Sequence, residues 1–333
     1  LPTGITGTYA GGVLTIQGTP TVSGTFIYTI NPAGPCPYPG APITGTITVN
    51  NDATIVLNSA AGTDNQTRCI NNAITNIDYL VGGGGTGAAI SWTPSTPAGI
   101  NFTPIGGGIY RISGTASVSG TFSYTISTLG PCLKPSLGGT LNVNPLPTAS
   151  FSGTAEACQN DAVLPAITFT GAGGTRPYTF TYTIDPGTGP GLPQTVSTTA
   201  LSNSVTVQQP TGVVGTFTYK LTSVQDGTVT ACSQSVSVPD QIIKINPVPT
   251  ASVDGSKLVC INSTSPDITF TGAGGTAPYN FAYRVDAGAG PGPLQFISTT
   301  GTNTSVTLQV PTTVAGTFTY ILESVQDGSS TAC

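Results

Sequence analysis

The sequence predicts an all-β chain made of tandem domains, and three observations support this. A short phrase with Phe and Tyr two positions apart occurs four times. The runs between turn residues alternate apolar and polar side chains, and no helix-length window shows apolar residues at helical spacing. Charged residues make up only 6% of the chain, so its polar surface is mostly hydroxyl and amide. Residues two apart share one face of a strand, which makes this alternation typical of half-buried strands.

The repeated phrase is Gly-Thr-Phe-x-Tyr, and its four copies follow one another at spacings of 96, 95 and 101 residues. Such regular spacing predicts four copies of one domain. Short strands separated by frequent turns, in copies of about 100 residues, predict an immunoglobulin-like β-sandwich. The aromatic pair of each copy is expected to face the core, and these residues are Phe26, Tyr28, Phe122, Tyr124, Phe217, Tyr219, Phe318 and Tyr320.

The copies fall into two types. The first type comprises a C-terminal part at 1–50 (the first copy) and a complete domain at 51–144 (the second copy). The second type comprises a complete domain at 145–246 (the third copy) and a domain at 247–333 that lacks its last strand (the fourth copy). Asn-Pro-x-Pro joints precede both second-type copies, and Pro restrains the preceding residue to extended conformations. We therefore expect an extended array.

Cysteine positions repeat with the domains. Each of the later three copies has an early cysteine near its start and a late cysteine after the repeated phrase. If the first strand leaves the N-terminal pole and the penultimate strand returns to it, both cysteines lie at the same pole, which satisfies the short reach of a disulfide. The predicted pairs are Cys69–Cys132, Cys158–Cys232 and Cys260–Cys333, with Cys36 joined to a cysteine upstream of the fragment.

The alternative for these cysteines is free thiols or metal ligands. Zinc is disfavoured because the chain has no His and no Cys-x-x-Cys motif. Disulfides would instead indicate an oxidising, extracellular compartment.

Several functions are excluded by missing residue types. Without His, the Ser-His-Asp and Cys-His catalytic arrangements cannot form, and the thirteen Asp and Glu residues are spread singly. We predict that the chain is not an enzyme and has no catalytic, cofactor or metal site. The eight Lys and Arg residues are also scattered, which disfavours nucleic-acid binding. No apolar run approaches the ~18 residues of a membrane-spanning helix, so no membrane insertion is expected in this segment.

A few other residues have two interpretations. Asp226-Gly227 and Asp327-Gly328 are typical of hairpin turns. Trp92 is interpreted as a core residue, with a sugar-stacking platform as the alternative. Tyr178 and Tyr279 follow the Gly-rich loops and are either loop anchors, which we favour, or contact residues.

The phrases of both types resemble repeats in bacterial surface proteins. Leu1-Pro2-Thr3-Gly4-Ile5 through Gly24-Thr25-Phe26 is similar to immunoglobulin-like repeats of such proteins. The second type has Pro-Leu-Pro-Thr-Ala at 145–149, Phe-Thr-Gly-Ala-Gly-Gly-Thr at 169–175 and Ser-Val-Gln-Asp-Gly at 223–227. It looks like repeats of giant cell-surface proteins in gliding Bacteroidetes. The resemblance implies a surface adhesin or filament similar to gliding-motility adhesins, exported by the type IX secretion system.

The expected function is therefore a structural and adhesive repeat region on the bacterial cell surface. Its expected partners are neighbouring repeats of the same polypeptide, polysaccharide or abiotic surfaces and, through the resemblance, the outer-membrane secretion and motility machinery. Two alternatives stay open. One is a pilus-like polymer whose subunits exchange strands, and the other is a carbohydrate-binding module of a larger secreted protein.

Overall fold

The computed structural model describes residues 1–35 and 39–333, and within them it contains β-strands and no helix. These residues form two compact units, Leu1–Pro145 and Leu146–Cys333. The predicted fold class, all-β with immunoglobulin-like sandwiches, is confirmed. Cys36 lies outside the described residues, so its predicted bond stays a prediction.

The first unit begins with two hairpins from the first copy. In each hairpin the two strands pair antiparallel, β1 with β2 and β3 with β4. Their bounds are β1 Ile5–Ala10, β2 Val13–Gly18, β3 Gly24–Ile30 and β4 Ile43–Val49.

The second copy forms a sandwich of two four-stranded sheets, with strand orders β5-β7-β10-β9 and β6-β12-β11-β8. Its strands are β5 Ala53–Leu57, β6 Asn65–Cys69, β7 Ile77–Gly83, β8 Gly87–Thr93, β9 Ile100–Gly106, β10 Ile109–Gly114, β11 Gly120–Leu129 and β12 Ser136–Asn144. Alternate residues of these strands fill the core, including Phe122 and Tyr124. Burying each such aromatic or branched side chain stabilises the fold by roughly 1.5–3 kcal/mol.

The third copy forms a sandwich with one three-stranded sheet, β13-β15-β18, and one larger sheet, β14-β21-β19-β16-β17, in which β20 pairs with β19. Its strands are β13 Thr148–Ser152, β14 Ala155–Cys158, β15 Ala166–Ala172, β16 Thr179–Asp185, β17 Gln194–Ser197, β18 Ser204–Gln208, β19 Gly215–Gln225, β20 Ser233–Ser235 and β21 Gln241–Asn246. Tyr219 is buried in the core and Phe217 packs against it, partly buried.

The chain changes sheets near the start of the third copy, and this change positions the early cysteine. Gly153 has a φ of 135°, and a Cβ there would stand 2.3 Å from the Ala166 carbonyl oxygen. Only glycine fits this backbone without strain. Before Gly153 the chain belongs to β13, which pairs antiparallel with β15. After Gly153 it becomes β14 and pairs parallel with the last strand, β21.

The fourth copy has two three-stranded sheets, β22-β23-β26 and β25-β24-β27. Its strands are β22 Thr250–Asp254, β23 Asp267–Ala273, β24 Asn280–Asp286, β25 Gln295–Ser298, β26 Ser305–Gln309 and β27 Thr319–Gln326. Phe270 and Phe281 are fully buried and Tyr320 packs against this core, but Phe318 lies outside β27 and is 36% exposed. The prediction that Phe318 faces a packed core is therefore wrong in this structure.

Candidate functional site

The most distinctive site in the second unit is a disulfide that joins the third copy to the fourth. Cys158, the last residue of β14, is bonded to Cys333, and their Cα atoms lie 5.5 Å apart despite a sequence separation of 175. This bond corrects two predicted pairs, because Cys158 is not bonded to Cys232 and Cys260 is a free thiol instead of the partner of Cys333.

The third predicted pair, Cys69–Cys132, is also wrong. Cys132 is a free thiol, and its Sγ lies 3.7 Å from the carbonyl oxygen of Asn50. Cys69 and Cys232, in contrast, are both disulfide-bonded. Among the described cysteines, the bonded early ones are therefore Cys69 and Cys158, and the bonded late ones are Cys232 and Cys333.

The direction of β14 explains why pairing within a copy fails. Because β14 runs parallel to β21, Cys158 stands opposite Asn246, at the pole where the chain leaves the third copy. β19 runs antiparallel to β21, so it ends at the opposite pole, and the late Cys232 follows it there. Cys158 and Cys232 thus lie at opposite poles of the third copy. Cys158 is instead bonded to the late cysteine of the fourth copy, Cys333.

Polar side chains from both copies surround the disulfide. The Glu156 carboxylate accepts hydrogen bonds from the Ser330 hydroxyl at 2.5 Å and from the Asn246 amide at 2.9 Å. The same amide nitrogen of Asn246 donates to the Thr331 hydroxyl at 3.0 Å. Asn246 is the Asn of the joint Asn-Pro-Val-Pro, and it is only 1% exposed. Asn246 therefore joins the two copies by side-chain hydrogen bonds, in addition to its place in the polypeptide that connects them.

The junction also favours the ionised form of Glu156. The hydrogen bond from Ser330 is the largest cause that lowers the pKa of this carboxyl below its usual value, and the bond from Asn246 adds to it. Lys244 lies 3.9 Å from the same carboxylate and contributes a weaker attraction. Glu156 is partly exposed, so solvent screens these charges and the ion pair contributes little by itself.

A buried aspartate positions each late cysteine of the second type. Asp327 Oδ1 accepts hydrogen bonds from the Cys333 N–H at 3.0 Å and from the Ser329 hydroxyl at 2.6 Å, and Oδ2 accepts the Thr276 N–H at 2.9 Å. Asp226 makes the equivalent bonds with Cys232, Thr228 and Thr175 in the third copy. The Asp-Gly turn predicted from sequence is thus more than a hairpin turn, because its carboxylate fixes the backbone that carries the cysteine.

The pKa of Asp327 reflects two opposing effects. Burial, the largest single cause, raises the pKa, but the hydrogen bonds from Ser329, Thr276 and Cys333 together hold it below the usual 3.8. The carboxylate is therefore charged and fully hydrogen-bonded at neutral pH. Such charge-assisted bonds are stronger than neutral ones, so they fix the loop that carries Cys333.

The Gly-rich loop packs against this aspartate. A Cβ on Gly275 would lie 2.7 Å from Asp327 Oδ2, and one on Gly272 would lie 2.5 Å from the ring of Tyr279. The Tyr279 hydroxyl donates to the Gly275 carbonyl at 2.9 Å, and its backbone N–H donates to Thr299 at 2.8 Å. Tyr279 and its counterpart Tyr178 are both 3% exposed. The structure therefore places them as loop anchors, the favoured interpretation.

Trp92 lies on β8 and is partly buried. Its ring packs on Tyr124, with the ring centroids 4.9 Å apart, and it contacts the core of the second copy. Across residues 1–35 and 39–333, no three His, Cys, Asp or Glu side chains cluster in a way that could hold a metal ion. In the same residues there is no helix long and apolar enough to cross a membrane.

Comparisons with known proteins give likenesses of fold. No family model matches the chain, and no curated protein matches it. Similar solved structures include a 3Ig fragment of titin, in an E-to-A variant, at a TM-score of 0.47 and 10% identity, covering 80% of this chain and 89% of that chain. InvD of Yersinia pseudotuberculosis has a TM-score of 0.34 and 16% identity, covering 81% of this chain and 84% of that chain. A marsupial T cell receptor has a TM-score of 0.39 and 10% identity, covering 82% of this chain and 99% of that chain. At these scores none of them carries a functional argument.

Proposed function

We propose that this chain is a structural and adhesive repeat region of a long secreted cell-surface protein, whose successive repeats are stapled to one another by disulfides. Its units are the four copies bounded at 1–50, 51–144, 145–246 and 247–333. The observation that carries the proposal is the Cys158–Cys333 bond, which joins two repeats instead of closing one. In a stalk under tension, such a bond passes load from one repeat to the next through a covalent link.

The benefit to a stalk is mechanical. When the chain is pulled from a point before Cys158 and a point after Cys333, the disulfide carries the load. The polypeptide between the two cysteines, which are 175 residues apart in sequence, carries none of it. The bypassed segment includes most of the third copy and nearly all of the fourth. These sandwiches can then unfold and refold locally without the stalk becoming longer.

The same bonds support an extracellular location, because disulfides persist in oxidising compartments. Placement on the bacterial cell surface, export by the type IX system and attachment to motility machinery rest on the resemblance of the repeat phrases. With charged residues at 6%, hydroxyl and amide groups supply most of the polar contact surface. Contacts with polysaccharide or abiotic surfaces would be weak singly and strengthened by repetition.

The stalk is tested by tethering single oxidised chains between a surface and a magnetic bead under constant load. We expect a stable extension that increases when a reductant is added. An extension that is the same before and after reduction would contradict the proposal.

Adhesion is tested separately with beads that carry many copies of the chain. Retention under flow on cellulose, glass and polystyrene should change little between low and high ionic strength, because few charges are involved. If the beads are lost at high salt, or are retained on none of the three surfaces, the proposed adhesive role is wrong.

A further inference from the structure

The two sulfur atoms of the Cys158–Cys333 disulfide have different surroundings. The hydroxyl oxygen of Thr331 lies 3.1 Å from the Sγ of Cys333. In the part of the chain that the structure describes, no hydroxyl or N–H group donates to the Sγ of Cys158. Cys158 ends β14, which is the outer strand of its sheet. A reagent that approaches this bond therefore meets two unequal sulfurs.

The hydrogen bonds around Thr331 determine where its own proton is directed. The Asn246 amide donates to the Thr331 hydroxyl oxygen at 3.0 Å, so that oxygen is already an acceptor. The Ser329 hydroxyl, 3.2 Å from Thr331, gives its only proton to the Asp327 carboxylate at 2.6 Å. A disulfide sulfur has no proton to give, so Thr331 is the donor in its contact with Cys333.

This donor stabilises one of the two sulfurs when the disulfide is cleaved. A hydrogen bond to the charged form of a group favours that form, so Thr331 favours a thiolate at Cys333. Thiol–disulfide exchange is faster when the leaving thiol is more acidic. The negative charge of Asp327 opposes a second charge nearby. Its oxygens already accept hydrogen bonds from the N–H groups of Thr276, Ser329 and Cys333, which reduces this opposition.

The third copy has the same arrangement at its own late cysteine, in the interior of the sequence. The Thr230 hydroxyl lies 3.3 Å from the Sγ of Cys232, which is also disulfide-bonded. The alanine between threonine and cysteine, Ala231 or Ala332, has a φ of 49° in both copies. This left-handed conformation is uncommon for a residue with a Cβ. The hydroxyl beside the late cysteine is therefore a shared feature of the second type.

We propose that Cys158 is the site where a small external thiol attacks this disulfide, and that Cys333 is the leaving sulfur. The thiolate of the reagent forms a bond to the Sγ of Cys158 as the bond between the two cysteines breaks. The electron pair of that bond goes to Cys333, whose thiolate accepts the hydrogen bond from Thr331. Cys158 then carries the reagent as a mixed disulfide.

The reverse step closes the disulfide without an oxidant. The Cys333 thiolate attacks the Sγ of Cys158 and expels the thiolate of the reagent. The hydrogen bonds from Ser330 to Glu156 and from Asn246 to Thr331 link the two copies independently of the disulfide, so they keep the cysteines close together. The inference depends neither on the stalk nor on adhesion, because it concerns the isolated chain.

The site of attack is tested with glutathione on the variant Cys132→Ser, Cys260→Ser, in which the two thiols that are free in the structure cannot exchange. Exposure to limiting glutathione is stopped while most chains are still closed. Freed thiols are alkylated, and the chain is cut with trypsin and Glu-C. We expect glutathione on 157–220, which contains Cys158, and the alkyl group on 324–333, which contains Cys333. Glutathione mainly on 324–333, or equally on both peptides, would overturn the proposal.

The role of the hydroxyl is tested by the rate at which the disulfide opens. Thr331→Val keeps a branched side chain but removes the hydroxyl, and we expect opening to slow by about three- to tenfold. Thr331→Ser keeps a hydroxyl and should open at nearly the native rate. Thr230→Val makes the same change beside Cys232 and should leave the opening of the Cys158–Cys333 bond unchanged.

The sign of the effect distinguishes this role from a structural one. Thr331 also accepts the amide of Asn246, so Thr331→Val loosens the junction. A looser junction exposes the disulfide and makes it open faster, whereas the loss of a donor to the leaving thiolate makes it open more slowly. Opening of Thr331→Val at the native rate or faster would contradict the proposal.

Discussion

Removing the staple should lengthen the second unit under load by an amount that the structure sets. The perturbation is the double variant Cys158→Ser, Cys333→Ser, with one handle attached at the exposed Ser150 and the other after residue 333. The bonded cysteines are 175 residues apart in sequence, and their Cα atoms are only 5.5 Å apart in space. At about 3.5 Å per extended residue, unfolding therefore releases ~600 Å more contour length in the variant than in the native chain.

Force spectroscopy at constant velocity measures this length directly. In the oxidised native chain only the short segment between Ser150 and Cys158 can extend, so we expect almost no contour gain. The variant should show unfolding steps that together approach ~600 Å. Cys132→Ser, Cys260→Ser is the matched control, because it removes two thiols that are free in the structure and should behave like the native chain.

The result that would refute this account is equally specific. If cysteines paired within copies, the stretch from Cys232 to Cys260 would lie outside every disulfide-closed loop and would be free to extend. The oxidised native chain would then lengthen by roughly 100 Å at ~3.5 Å per residue. Such a gain, or a double variant that is no longer than the native chain, would contradict the junction.

Three further predictions concern stability. The same double variant should lose up to about 5 kcal/mol of unfolding free energy in the chain-entropy model, measured by chemical denaturation. Asp327→Ala leaves three backbone N–H groups without their acceptor and should cost the fourth copy about 1–3 kcal/mol. Because the pKa of Asp327 is lowered on folding, its contribution is complete above the unfolded value of 3.8 and should be lost as pH falls through the lower folded value. Gly171→Ala would place a Cβ 2.4 Å from the Tyr178 ring and should cost about 1–3 kcal/mol, whereas Gly212→Ala, with open space around it, should be near neutral.

The sequence was sufficient to predict the fold class because each strand carries its own signal. Alternation two residues apart follows directly from strand geometry, and four copies of one phrase exclude coincidence. The aromatic pair Phe122 and Tyr124 lies in the core, as that geometry requires. Phe318 differs because burial at this position depends on a neighbouring strand and not on the repeated phrase alone. In the third copy the equivalent Phe217 stands opposite Ile243 of β21.

Cysteine pairing was mispredicted because the early cysteine was assigned to the first strand. It lies instead on β14, after the chain has changed sheets at Gly153. Both second-type copies have a glycine five residues before the early cysteine, Gly153 and Gly255, with φ of 135° and 132°. This shared glycine is the signal that could have indicated the reversal of pole. Glu156 and Ser330 carry no motif of their own, and the Asn-Pro-x-Pro joint that contains Asn246 predicts only an extended connection, so only the structure could bring these residues together.

The measurement that tests the central claim most directly is disulfide mapping of the oxidised chain. Free thiols are first alkylated, and the chain is then cut with trypsin and Glu-C, which places Cys158, Cys232, Cys260 and Cys333 on four different peptides (157–220, 221–244, 258–284 and 324–333). We predict that 157–220 is linked to 324–333, and that Cys132 and Cys260 are alkylated. Links between 157–220 and 221–244, and between 258–284 and 324–333, would contradict the junction between repeats.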